Sequence, residues 1–89
     1  ENNYSILKVV AANSEEPTFN LDNSNIKLQE YNVTIVGATT EFNYFIIPNK
    51  KGQTIIDFTL LNEENNEERH IKYQVIVNKD LAVSYEEIN

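Results

Sequence analysis

Few side chains in this sequence could act chemically on a substrate. His70 is the only histidine, and there is no cysteine. Four serines are present (Ser5, Ser14, Ser24, Ser84), none within the G-x-S-x-G turn that presents a nucleophile. Nucleophilic catalysis needs a base in hydrogen-bond reach and a group that orients it. A single histidine beside Arg69 carries no such signature and reads as a surface residue. Adjacent glutamates are the other candidates: Glu15/Glu16, Glu63/Glu64, Glu67/Glu68 and Glu86/Glu87. Acid–base work by paired carboxylates needs one of them in an apolar setting that raises its pKa. These pairs lie in hydrophilic stretches, and neighbours on a strand point to opposite faces. The sequence therefore predicts a non-enzyme with no cofactor.

Hard oxygen ligands for calcium occur at Asp22-Asn23-Ser24-Asn25, at Asn78-Lys79-Asp80 and along Glu63–Glu68, without the EF-hand spacing. Solvated acidic loops are the commoner reading, so no metal site is assigned. Asn32-Val33-Thr34 is a formal glycosylation sequon, expected by chance in a chain with fourteen asparagines.

Charge narrows the partners. Fourteen acidic residues against seven basic ones give a net charge of −7. Such a surface repels phosphate backbones and anionic lipid, which excludes nucleic acid as the expected partner. It favours a monomer. No stretch approaches the ~20 apolar residues of a membrane span. Eighty-nine residues make one domain, and the absence of cysteine removes disulfides as staples. The start at Glu1 suggests a processed chain or an excised domain.

The elements that would position any site read as strand after strand. Tyr4–Ala12 is apolar and β-branched, although Leu7, Val10 and Ala11 also permit a helical turn. Asn13–Pro17 is a polar break, and Pro17 cannot sit in a central ladder. Thr18–Asp22 is a short strand, followed by a turn at Asp22–Asn25. In Ile26–Val36 the apolar parity switches from Ile26 and Leu28 to Tyr31, Val33 and Ile35, which predicts a bulge near Gln29–Glu30. Gly37–Thr40 closes that strand.

Phe42–Ile47 is apolar on both faces and is expected to lie centrally. With Pro48–Gly52 as turn and Ile55–Leu61 as return strand, it predicts a β-hairpin. Phe42, Tyr44, Ile46, Ile56, Phe58 and Leu60 would then share a face. Asn62–Arg69 is a polar loop, Ile71–Val77 a cleanly alternating strand, and Leu81–Asn89 an edge strand or linker. Six or seven short strands with regular turns indicate an all-β antiparallel sandwich. The five tyrosines are expected mainly in the core, with Tyr73 a candidate corner tyrosine.

Phe42, Pro48, Gly52, Ile56 and Phe58, then Tyr73-x-Val75-x-Val77-Asn78, form a pattern that resembles immunoglobulin-like modules of bacterial surface and secreted proteins. That resemblance covers about half the chain. It implies an immunoglobulin-like sandwich and an extracellular or cell-surface binding or spacer module that contacts a protein partner or neighbouring domains of its own chain. A narrower resemblance is to chagasin-like inhibitors of papain-type cysteine proteases. Those present three loops with N-P-T-T-G, G-x-G-G and R-P-W motifs. Here Pro17-Thr18 matches part of the first, Gly37-Ala38-Thr39-Thr40 keeps one glycine of the second, and Asn62–Arg69 has the place of the third without Pro or Trp. A calcium- or carbohydrate-binding sandwich is the further alternative. Loops carry function more often than scaffold strands do. The residues expected to meet a partner are Asp22, Asn23 and Asn25; Gly37, Ala38, Thr39 and Thr40; and Asn62, Glu63, Glu64 and Arg69.

Overall fold

The computed structural model describes residues 4–88. They form seven strands: β1 (Ser5–Ala12), β2 (Glu15–Leu21), β3 (Ile26–Val36), β4 (Thr39–Pro48), β5 (Gly52–Asn62), β6 (Glu68–Val77) and β7 (Val83–Ile88). There is no helix among them, so the all-β expectation holds and the helical option for Tyr4–Ala12 does not. β2 starts at Glu15, earlier than the polar break suggested. It takes in Pro17, which an edge strand tolerates.

The strands form two antiparallel sheets, ordered β1-β4-β3 and β2-β5-β6-β7. The predicted hairpin across Pro48–Gly52 is therefore not a hairpin. β4 is central in one sheet, as expected, and β5 lies between β2 and β6 in the other. The segment between them crosses from sheet to sheet. Each strand is already paired on both sides, so neither has a free ladder to offer the other. The amides of Asn49 and Lys50 both donate to the Asn25 carbonyl, at 2.8 and 3.2 Å. The six residues expected to share a face are all buried, but they face each other across the core from opposite sheets.

The core is one cluster. Leu7, Val9, Ala11, Ile26, Leu28, Phe42, Tyr44 and Ile46 come from the three-stranded sheet. Ile56, Phe58, Leu60, Tyr73, Val75 and Val77 come from the four-stranded one. At roughly 25 cal/mol per Å², such burial is the main force holding a chain without disulfides.

Side chains also tie the sheets together. The Tyr85 hydroxyl donates to the Ile6 carbonyl at 2.7 Å. Arg69 donates to the Val10 carbonyl at 3.4 Å, and the Ala12 amide donates to Glu15 at 2.7 Å. The start of β1 thus lies beside β7, and its end lies between β2 and β6. β1 therefore runs obliquely over the facing sheet.

β3 has two halves with different surroundings. Its register shifts between Glu30 and Asn32, next to the predicted bulge. The shift returns Val33 and Ile35, opposite Phe42 and Thr40, to the core-facing side that Ile26 and Leu28 occupy. Ile26 and Leu28 are buried, yet Val33 is 44% and Ile35 71% exposed. The second half of β3 overhangs the edge of the opposite sheet.

Candidate functional site

The three expected loops do not gather at one place. Asp22–Asn25 lies at the end of the sandwich that also holds the β4–β5 crossing. Its side chains are occupied internally. Asp22 Oδ1 accepts from the Ile55 amide at 3.0 Å. Asn23 Oδ1 accepts from the Asn25 amide at 2.9 Å and from the Thr54 hydroxyl at 2.7 Å. Asn23 and Asn25 both donate to the Gln53 carbonyl. This is the Asx chemistry read from the sequence, used to hold the β2–β3 turn against β5.

Gly37–Thr40 and Asn62–Arg69 meet at the opposite end, joined by the turn between β1 and β2. Asn13 donates to the Gly37 carbonyl at 3.0 Å and accepts from the Thr40 hydroxyl at 2.8 Å. The Glu63 amide donates to the Ser14 carbonyl at 2.9 Å. Thr40 is buried, and the Thr39 hydroxyl donates to the Val36 carbonyl, so both serve the turn. Asn62 Oδ1 accepts from the Glu64 amide. Ala38, Glu63 and Glu64 are exposed.

Arg69 forks onto Glu15, its Nε 2.8 Å from Oε2 and one terminal nitrogen 2.9 Å from Oε1. Hydrogen bonding from Arg69 holds the Glu15 carboxyl below its ordinary pKa, against the opposing effect of burial, and Glu15 raises that of Arg69 in return. The ion pair is structural: its acceptors are spent on Arg69 and on the Ala12 amide.

His70 has partners that the sequence did not reveal. On the outer face of the four-stranded sheet its Nδ1 lies 3.0 Å from Asp57 Oδ1 and 3.2 Å from the Thr59 hydroxyl. A relay needs the carboxylate on one ring nitrogen and the hydroxyl on the other. Here both crowd Nδ1, so the trio does not form a catalytic triad. No group of three or more His, Cys, Asp or Glu side chains placed to hold a metal occurs among the described residues.

The tyrosines divide. Tyr44 and Tyr73 are in the core. Burial, with the charges of Glu30 and Glu16 added, pushes Tyr44 up to about 12, and burial raises Tyr73. Tyr73 sits within β6 with its ring in the core, while Tyr85, in β7, donates its hydroxyl to the Ile6 carbonyl of the other sheet. Tyr4 and Tyr31 are exposed on the outer face of the three-stranded sheet. Tyr31 stacks on Phe45 with centroids 4.1 Å apart, and Tyr4 meets the same ring edge-on at 4.8 Å. Ile6, paired with Phe45 across the ladder, extends this apolar face. Sequence reasoning missed the patch, because it arises only when Tyr4, just before β1, meets Tyr31 of β3 and Phe45 of β4.

Charge is unevenly spread. Glu63, Glu64, Glu67 and Glu68 crowd the end that holds Gly37–Thr40. Lys50, Lys51 and Lys79 are exposed at the other end, where Lys51 and Lys79 flank an open depression of about 470 Å³ floored by Ile76 and Val77. Compared with protein-family models, curated protein sequences and solved structures, the chain matches none.

Proposed function

We propose that this chain is a non-enzymatic, immunoglobulin-like binding or spacer module of an extracellular or cell-surface protein. The strand order supports the fold reading. Immunoglobulin domains place strands A-B-E-D in one sheet and C-F-G in the other. Equating β1 to β6 with B to G turns β1-β4-β3 into B-E-D and β2-β5-β6 into C-F-G. Among the described residues no strand corresponds to A, and β7 is added beside G.

The observation that carries the functional reading is the path of the chain along its long axis. The body extends 43 Å by 23 Å by 17 Å. β1 begins at the lysine-bearing end, where Ser5 pairs with Ile46, and β7 leaves that same end, where Val83 pairs with Val77, running toward the glutamate-rich end. Copies joined in series would set a glutamate-rich end against a lysine-bearing one. Small-angle scattering on three copies in one chain tests this. The maximum dimension is expected to grow by about one module length, 43 Å, per added copy; a compact particle that does not lengthen overturns the spacer reading.

A second reading has one specific observation behind it. Gly37–Thr40 and Asn62–Arg69 lie with the β1–β2 turn at a single end, as the loops of a chagasin-like inhibitor of papain-type proteases would, although Pro17 and Thr18, which carried the first motif, lie within β2 and not in a loop. Inhibition of papain at micromolar concentration supports that reading; undiminished papain activity there removes it.

A further inference from the structure

We propose that two copies of this chain pair through the overhanging half of β3, residues 32–36, about a twofold axis at Thr34. Two sheets have four edges, and three of these carry devices that discourage pairing. On β1, the outward carbonyls of Ile6 and Val10 and the outward amide of Ala12 are taken by Tyr85, Arg69 and Glu15. β2 contains Pro17, and β7 is six residues long with Glu86 and Glu87 on it. β3 has its bulge at Tyr31, but beyond it Asn32-Val33-Thr34-Ile35-Val36 is regular, uncharged and rich in β-branched residues.

Those five residues are self-complementary. Antiparallel pairing about a twofold through Thr34 sets Thr34 opposite Thr34 and Val33 opposite Ile35 of the other copy. Both members of the latter pair are on the core-facing side. The sheet becomes six-stranded, β1-β4-β3 continuing into a second β3-β4-β1. Val33 and Ile35 are core-facing apolar side chains that the overhang leaves uncovered, and the pairing sets them against each other across the twofold.

Charge selects a second copy over a charged strand. The chain carries −7, yet the pairing sets no carboxylate opposite another. Glu30 falls opposite Ala38. Glu41, next to Thr34 on β4, is paired with Lys8 at 3.4 Å. The two copies of Glu41 stand three strand spacings apart, about 14 Å, beyond the ~8 Å screening length at physiological salt. A five-residue ladder with three apolar side chains is a small interface, under about 1,200 Å², so the dimer is expected to be weak and salt-strengthened.

Sedimentation velocity of the whole chain at about 0.15 M salt tests this over roughly 10 µM to 1 mM, the range a small interface implies. The weight-average mass is expected to rise toward twice 10.3 kDa. Thr34→Lys, at an exposed site, sets two ammonium groups on the twofold and is expected to hold the protein monomeric with an unchanged circular dichroism spectrum. Because the chain lacks cysteine, Thr34→Cys gives an independent readout. Directly opposed strand residues lie about 4.5–5.5 Å apart at Cα, within disulfide reach. Thr34→Cys is expected to oxidise to a dimer at least tenfold faster than Ser84→Cys on β7. A wild-type mass that stays at one chain throughout overturns the proposal. So does a Thr34→Lys variant that still dimerises, or equal oxidation rates for the two cysteine variants.

Discussion

The hydroxyl of Tyr85, in the last strand, donates to the main-chain carbonyl of Ile6, in the first, across 79 positions and from one sheet to the other, at 2.7 Å. It satisfies an outward carbonyl on β1 that would otherwise be open to another strand. Tyr85 also sets its ring edge-on to Tyr73, 6.0 Å away. Removing the hydroxyl with Tyr85→Phe keeps the ring contact. It is expected to cost about 0.5–1.5 kcal/mol in urea unfolding, the ordinary net value of one hydrogen bond.

The Glu15–Arg69 fork makes stability depend on pH. The folded-state pKa of Glu15 lies below its unfolded value, so its contribution is fully present above the unfolded pKa, near 4.5, and is lost as pH falls through the folded one. Glu15→Gln is expected to cost about 1–2 kcal/mol at pH 7, held to the low side because Arg69 is half exposed and screened. The gap from wild type should close below the carboxylate range. Urea midpoints at pH 7 and at about pH 2.5 check both halves.

Phe58 is fully buried and touches three rings, with centroids 6.0 Å from Phe19, 5.1 Å from Tyr44 and 6.1 Å from Tyr73. Phe58→Ala is expected to cost about 3–5 kcal/mol, enough to unfold much of so small a domain at 37 °C. Thermal denaturation followed by circular dichroism measures it. A loss below about 1 kcal/mol would contradict the core described above.

Gly52 opens β5 at φ +148°, a conformation side chains rarely adopt, and a Cβ there would collide with the Asn25 amide. Gly52→Ala is expected to cost about 1–3 kcal/mol. Adding Asn25→Ala should recover the part due to the collision and leave the part due to the backbone. Urea unfolding of the two single variants and the double one separates them.

Much of this protein was legible before folding was considered. The alternation of Ile71, Tyr73, Val75 and Val77 placed a strand. The parity switch in β3 placed a bulge within a residue or two, and the six inward residues around Pro48–Gly52 were assigned to the core. Each is a local statement, because side-chain direction in a strand repeats every two residues. The partner of each strand was not legible in the same way. β4-turn-β5 reads identically whether the turn folds back in one sheet or crosses between two, since either path buries the same faces. The crossing was decided by distant groups: the Asn25 carbonyl that takes the Asn49 and Lys50 amides, and the flanking strands that fill both sides of β4 and β5.

Exposure shows the same division. The sequence determined that Val33 and Ile35 are apolar and share a face, and that Tyr4, Tyr31 and Phe45 are aromatic. Only the placement of one sheet over the other decided that the first pair overhangs into solvent while Ile26 and Leu28, on the same strand, are covered. Only the pairing of β1, β4 and β3 brought the three rings together. Apolar character belongs to a side chain; burial depends on what another part of the chain, tens of residues away, places over it.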